Sequence, residues 1–494
     1  MKNFFGNVAI TLRGAAIGQI IPALALPIIS RLYPPEMYGV FASLLSISII
    51  LTALMFMQLD VAVVLPKDDK EAGDVARTAG QAGVLMWVAL TIAMIAMQPA
   101  LGAGSGAEHL QQWIILTPSL AFLMAGLLLC NYTASRLQVY KEIGTSSAWL
   151  QLANNLVMIV LGLIKPGVGM LLAARFAGQS AGVVAYGQAL AWLRGQFSRG
   201  LLSFADMGAV ISKYRKFPMF SLPHMLTATL SRESVTPILI FFHQPHAAGY
   251  YALARAILMM PVSLLSSSVG QIFYSEASRG VDQPAFRSFA QKLFFSMAWF
   301  FTPGCVFIAL WAPQIFSLLF GPEWQDAGKF VIIYMPVALL FILTTWSGRI
   351  FDVRGRQDIL FRIQLVFDFL SIGGLIAVLA TQPSPIMAIA VYAVCQVLYL
   401  LTYLFFVFRM MHLRALAYLG VLAVAVGMAA VQAAIHTGIV YTFSGYPWFV
   451  AFGVELAILG PALLTAMYYL WTRVLRSHFA QATPAPLAPE GFEL

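Results

Sequence analysis

Apolar positions along this chain fall in long blocks separated by short polar segments. Blocks of about 20 residues match the thickness of a bilayer's hydrocarbon core. Fourteen of them predict membrane-spanning helices: Val8–Ile29, Tyr38–Val64, Ala79–Gln98, Trp113–Thr133, Thr145–Ile164, Val168–Trp192, Phe217–Phe242, Ala247–Ser275, Gln291–Pro313, Phe330–Ile350, Ile359–Ala380, Pro385–Val407, Ala415–His436 and Pro447–Trp471. The expected fold is an all-α polytopic membrane protein.

The first two blocks form a hairpin folded at SRLYPPEMYGVFASLL, which begins at Ser30. Pro34 and Pro35 forbid a continuous helix, because proline lacks the N–H and its ring clashes with the preceding turn. The design returns at FFHQPHAAGYYALARAI, where Pro245 stands near the turn and Gly249-Tyr250-Tyr251-Ala252 stands in register with Gly39-Val40-Phe41-Ala42, 210 residues earlier. The two hairpins open two repeats of six spans. Six is even, so both repeats enter the membrane in the same sense, related by an axis along its normal. Paired lobes of this kind place a substrate site between them and work by alternating access. The expected organisation is an N-lobe over residues 1–200, a C-lobe over 201–412, two further spans over 413–471, and a disordered tail rich in proline and alanine over 472–494.

Composition agrees with lipid as the solvent. The 494 residues are 60% hydrophobic and 10% charged, where a soluble domain carries about 25% charged residues. The net charge of +9 raises nucleic-acid binding, but the location of the charges answers it. With the N-terminus in the cytoplasm, the external segments hold Arg31, Lys165 and Lys329, five arginines lie within spans, and the other members of the 29 Lys and Arg fall in cytoplasmic segments. That bias places both termini inside and accounts for the basic balance without nucleic acid. The basic segment Leu193–Lys216 reads as the link between the lobes. Cys130, Cys305 and Cys395 lie far apart within apolar runs, which argues against a disulfide framework or a zinc site. The first apolar run is too long for the core of a cleavable signal peptide.

Charged residues inside spans carry the candidate chemistry, since each costs at least about 2.5–3.5 kcal/mol at the bilayer centre. Arg362 is near a cytoplasmic end and can snorkel. Arg13 and Arg175 lie deeper. Arg232 and Arg255, on the antiparallel seventh and eighth spans, sit at similar heights, roughly 12–15 Å below the external surface, with Glu233 at the same level. Either Glu233 and Arg255 lock that hairpin as an ion pair, or the arginines line an aqueous cavity. One carboxylate cannot neutralise two guanidinium groups, and arginine's fork of donors suits phosphate. Asp60, Asp368 and Glu455 also lie within spans and are candidates for a coupling proton or cation, or for internal pairing. Gln151 and Asn155 share a face of the fifth span, beside Asn154, while Tyr250 and Tyr251 open the eighth. Such groups bind sugars or act as polar glue between helices.

No GxxxxGK[ST] motif is present, so the chain carries no ATPase site of that kind. No Cys/His cluster suggests a metal, and no external loop holds the paired carboxylates that glycosyl-transfer chemistry needs.

The stretch SRLYPPEMYGVFASLL followed by MQLDVAVVLPKDD, a pattern of SR-L-P-E-YG and then LD-A-V, resembles the Wzx-like polysaccharide flippases, the PST branch of the superfamily that also contains MATE exporters and the lipid II flippase MurJ. The resemblance covers the first twelve spans and implies a V-shaped pair of six-helix lobes. It implies passage of undecaprenyl-diphosphate-linked oligosaccharide repeat units from the cytoplasmic to the outer leaflet of a bacterial inner membrane, for O-antigen or exopolysaccharide synthesis. It further implies a non-enzymatic protein without cofactor, for which H+ or Na+ is a candidate coupling ion, working among membrane lipids, with the polymerase and chain-length proteins of its pathway as candidate partners. The family's habit of basic cavity residues maps by position within spans onto Arg13, Arg232 and Arg255.

The reading of the residues agrees. Arg232 and Arg255 are expected to hold the diphosphate, with Arg13 or Arg175 as a second station, Tyr250, Gln151 and Asn155 on the sugars, and Glu233, Asp368 or Asp60 in ion coupling. A MATE-type cation antiporter predicts acidic residues dominating the cavity. A membrane polymerase or ligase needs a large external loop. A passive scramblase would show no dependence on an ion gradient.

Overall fold

The computed structural model describes residues 18–102, 108–469 and 472. Arg13, the start of the first expected span and the C-terminal tail lie outside the described residues. All regular elements among the described residues are helical, because inside hydrocarbon each backbone N–H and C=O must find its partner within the segment. Among the described residues ten helices are long and apolar enough to cross a membrane, and an eleventh span results if one bent pair is counted.

The other four of the fourteen expected spans take different forms. The first is represented by a shorter apolar helix, α1 (Gly18–Leu32). The seventh is broken into α11 (Leu222–Glu233) and α12 (Val235–Phe241). The eighth is part of a 36-residue helix, α13 (Pro245–Gly280). The sixth is the bent pair, α8 (Val168–Val184) and α9 (Gly187–Phe197), with an angle of 85° between them.

Contacts divide the described chain into two compact units. One holds the residues up to Ala254 with Phe316–Ala327 and Ile372–Ala388; the other holds Arg255–Ile315, Gly328–Ser371 and the residues from Ile389.

In the first unit, α2 (Pro35–Met55) is the central element. Proline at its first position and Glu36 in its first turn suit the free N–H groups and positive end of a helix. It stops after Met55, where Met57 and Gln58 adopt left-handed backbone with φ of 52° and 62°, a conformation that side chains with a Cβ disfavour. The expected second span is therefore shorter than its apolar run, and α3 (Leu59–Ala62) is a separate turn beyond it. α2 packs against α6 (Thr117–Arg136), α11 and α12. α4 (Asp69–Met97) meets α3 and α6, and α5 (Glu108–Gln111) follows it. α7 (Tyr140–Ile164) pairs closely with α8: a Cβ on Gly178 would lie 2.8 Å from the Leu150 carbonyl oxygen. The basic link is itself structured, holding α9 and α10 (Phe204–Lys213). Lys213 and the Tyr214 hydroxyl both bind Glu71, at 2.5 and 2.6 Å, while Leu201 and Phe204 remain exposed.

Helices α14 (Pro284–Leu310), α15 (Ala312–Phe320), α16 (Ala327–Thr344), α17 (Ile350–Val353), α18 (Gln357–Thr381), α19 (Pro385–Met410), α20 (Ala415–Thr442) and α21 (Trp448–Tyr469) complete the chain. In the second unit, Trp346 packs against Phe273 and Phe294 with ring centroids 5.0 and 4.5 Å apart, and Phe294 against Phe408 at 4.8 Å. Between α13 and α14, Asp282 receives both Nη groups of Arg354 at 2.7 and 3.1 Å. That fork holds the Asp282 carboxyl below its usual range. α14 packs against α20 and α21.

Candidate substrate-binding site

The break in the seventh span positions the candidate site. Pro237 lacks the N–H that would bond the Glu233 carbonyl one turn earlier, so the helix ends at Glu233 and restarts at Val235. Ser234 between them keeps near-helical backbone and its N–H and C=O still bond Leu230 and Ile238, so the break is a one-residue bend among the polar residues of the span. The facing side chain comes from α2. Ser46 Oγ lies 3.2 Å from Glu233 Oε2 and 3.0 Å from Thr236 Oγ1. A hydroxyl has one proton, so Ser46 donates to Glu233 and accepts from Thr236. The flanking serines of α2 behave differently: Ser43 and Ser48 donate to carbonyls one turn back in their own helix, each at 2.9 Å. Ser46, Thr229, Ser231 and Thr236 are all buried, making a polar seam between spans.

Arg232 stands at the edge of this seam and is exposed. Its Nε donates to the Ala228 carbonyl at 3.1 Å, which steadies the guanidinium against its own helix. Among the described residues no carboxylate forms an ion pair with it. Its Nη groups can therefore take an anion in the bidentate manner of arginine and phosphate. Arg255 belongs to the second unit, on α13, and is half-buried.

Arg175 occupies a second place in the first unit. It is half-buried on α8, its Nε is buried without a hydrogen bond, and it lies within electrostatic reach of the Tyr38 hydroxyl. Tyr38 meets Trp324 edge-on at 5.7 Å, and Trp324 meets Tyr250 at 6.2 Å. The Trp324 indole N–H donates to the Ser30 carbonyl at 2.8 Å, and Arg31 donates to the Leu318 carbonyl at 2.9 Å. The fold thus brings Arg175 and Tyr250 into one aromatic neighbourhood. Glu36, at the start of α2, lies 3.8 Å from both His109 and His246.

The amides of the fifth span are used within their own helix. Asn155 is buried and its Nδ2 donates to the Gln151 backbone carbonyl at 2.7 Å, while Gln151 is half-buried. Asn154 is buried against the close approach of Gly178. Asp368, half-buried on α18, accepts at its backbone carbonyl from Ser371, whose Oγ accepts from Gln396 at 3.4 Å. Arg362 is exposed.

Asp60 lies beyond the second span, in α3, and is buried. Burial pushes its carboxyl up from 3.8 to about 6, partly offset by backbone N–H groups. A raised folded-state pKa contributes stability that is fully present below the unfolded value and lost as pH rises through about 6. Asp60→Asn is expected to flatten that loss, worth on the order of 3 kcal/mol. Thermal unfolding of the purified variant between about pH 4 and about pH 8 checks it; an unchanged pH profile contradicts the assignment.

The sequence reading missed Ser46, Thr236 and Trp324. Pro237, a proline inside an apolar run, was the available signal for the broken helix.

Two comparisons place this arrangement. The fold is similar to those of several solved membrane transporters. The lipid II flippase MurJ in an inward closed conformation aligns with a TM-score of 0.68 at 12% identity, over 92% of this chain and 98% of its own. An inward-facing multidrug resistance MATE family transporter aligns with a TM-score of 0.59 at 13% identity, over 81% and 98%. A MOP superfamily transporter from Pyrococcus furiosus, described as having a binding pocket of reverse polarity, aligns with a TM-score of 0.50 at 12% identity, over 82% and 94%. The sequence model of the polysaccharide biosynthesis protein family matches residues 28–329, and the chain belongs to that family. No curated protein sequence matches it significantly. The protein is a multi-pass membrane protein with a transporter fold.

Proposed function

We propose that this protein is a flippase that carries undecaprenyl-diphosphate-linked oligosaccharide repeat units from the cytoplasmic to the outer leaflet of a bacterial inner membrane, for polysaccharide or O-antigen synthesis. The observation that carries the reading is the exposed guanidinium of Arg232, without a carboxylate partner among the described residues, at the proline-broken point of a membrane segment. A cation held there needs an anion, and a diphosphate headgroup supplies one. Membership of the polysaccharide biosynthesis family and the fold shared with a lipid II flippase support the same reading.

In this proposal Arg232 of the first unit holds the diphosphate, Arg255, Arg175 and Arg13 are candidates for further stations, and Tyr250, with Gln151 and Asn155, meets the sugars. Glu233, Asp368 or Asp60 takes a coupling H+ or Na+. The protein moves its substrate without breaking bonds, and the polymerase and chain-length proteins of the pathway act after it.

Deletion of the gene, followed by analysis of lipid-linked intermediates, tests the reading. Accumulation of undecaprenyl-diphosphate repeat units in the inner leaflet with loss of surface glycan is expected. Normal surface glycan together with new sensitivity to cationic drugs would instead identify a cation antiporter, in keeping with the multidrug resistance MATE family transporter of similar fold.

A further inference from the structure

Glu455 on α21 is fully buried, and its carboxylate is enclosed by three side-chain donors of the second unit. Gln432 Nε2 donates to Oε1 at 2.6 Å, Trp311 Nε1 donates to Oε2 at 2.7 Å, and His436 Nδ1 lies 2.9 Å from Oε2. Gln432 and His436 are one turn apart on α20, and Trp311 follows the end of α14. Around them the packing is apolar: Phe307, Ile439, Ala451 and Leu459, with Phe452 and Trp448 against the indole of Trp311.

A carboxyl group in such a place is costly, so its chemistry can be read from what surrounds it. The indole N–H and the amide N–H are donors that do not titrate. They fix the orientation of the carboxyl group and leave the contact with His436 as the place where a proton can come and go. A Ca2+ or Mg2+ ion does not fit, because it asks for oxygen ligands and these neighbours present N–H groups, and a transition-metal ion would find only Glu455 and His436 as ligands among the described residues. Imidazole is the side chain whose charge changes nearest neutral pH, and its neighbour is a carboxylate with no other cationic partner among the described residues. The other ionisable groups on the packed helices are Arg287, Lys292 and Cys305 on α14, Tyr418 and Tyr441 on α20, and Tyr468 and Tyr469 on α21; α15 carries none. None of the described ones bonds to Glu455 or His436.

We infer that Glu455 and His436 form a proton-binding site in the C-terminal helix pair α20–α21, outside the two six-span repeats. His436 is the route of exchange: its side chain is 18% exposed, and that of Glu455 is 0% exposed. Both residues lie about 10 Å along their helices from the turn that joins α20 to α21, so the proton is exchanged with the side that this turn faces. In the orientation that the loop charges assign, that side is external. The consequence for transport, a rate that responds to external pH, rests on the flippase reading; the binding of the proton does not.

The test uses the purified full-length protein without substrate, titrated from about pH 4 to about pH 9 and followed by infrared difference spectroscopy of the protonated-carboxyl stretch. One component of that band is expected to disappear in Glu455→Gln, which keeps the side-chain shape. In His436→Phe the pH dependence of the same component is expected to differ from the wild type's, because a hydrogen-bond partner of the carboxylate is gone. The Trp311 fluorescence should follow the same titration and be lost from the difference signal in Trp311→Phe. A Glu455→Gln band identical to the wild type's at every pH would overturn the inference and leave the cluster as a structural tie. Should Glu455→Gln not fold, an unchanged pH dependence in His436→Phe does the same. A protein that titrates as expected but exports no glycan would refute the flippase reading alone.

Discussion

Leucine in place of Gly39 or Gly249 is expected to abolish glycan export and to lower the stability of the folded protein. These two glycines, related by the 210-residue repeat, lie against each other in the first unit. A Cβ on Gly39 would collide with the Pro245 carbonyl oxygen and come within 2.6 Å of the Gly249 nitrogen, while one on Gly249 would collide with the Pro35 carbonyl oxygen. The obstructing atoms are backbone, so no side chain can turn away and the two helices must part. Overpacking of this kind costs about 1–3 kcal/mol for added methylenes and more where backbone has to move. In lipid the cost is acute, because helices associate through close packing of small residues rather than through a hydrophobic driving force. Even alanine at either position is expected to reduce export. Gly126→Ala is the control: a Cβ there meets nothing within 4 Å, and helix propensity favours it by about 1 kcal/mol. Thermal unfolding and surface-glycan level measured together check the pair. A Gly39→Leu protein with wild-type stability and export would show that α2 and α13 do not cross as described.

Arg232→Ala is expected to remove surface glycan while leaving the amount of protein in the membrane unchanged. The side chain is exposed, and its hydrogen bond is to its own helix, so little of the fold depends on it. Loss of a charge-assisted contact to an anion is worth about 1.5–3 kcal/mol, on the order of a tenfold to a hundredfold loss of affinity. Arg232→Lys keeps the charge and loses the planar fork, and should fall between the wild type and alanine. Ser46→Ala removes the hydroxyl that joins Glu233 to Thr236; it is expected to reduce export with a smaller effect than Arg232→Ala. Arg362→Ala, exposed on α18, should export normally. Full export by Arg232→Ala would move the anion site elsewhere in the protein.

The sequence by itself determined that the chain is a bundle of membrane helices, where most of them lie, and that a hairpin with proline at its turn and glycine after it occurs twice. Those properties are local. A block of apolar residues is long enough to span hydrocarbon whatever it packs against, and proline ends a helix through its own missing N–H. The same locality explains the misjudged spans. Hydropathy averaged over the seventh block conceals Pro237, and averaged over the second it runs through the left-handed backbone of Met57 and Gln58 into the separate turn α3.

Only the tertiary structure decided which polar groups face one another. The repeat made Gly39 and Gly249 equivalent but could not say that they touch. Arg232 and Glu233 were visible as charges in a span, whereas Ser46 was one of several serines in α2 and Trp324 belonged to a distant segment that folds back onto Ser30. Gln151 and Asn155 matched sugar-binding amides by spacing, with Asn154 beside them; the structure adds that Asn154 stands at a tight helix contact and that the Asn155 amide donates to the Gln151 carbonyl. Glu455 gained its meaning from Gln432 and His436 on the neighbouring helix and from Trp311 far earlier in the chain. In a bilayer every outward face is apolar, so the pattern along a helix barely marks the side that meets its neighbours; backbone approach at small residues and the need to satisfy buried polar groups choose that side.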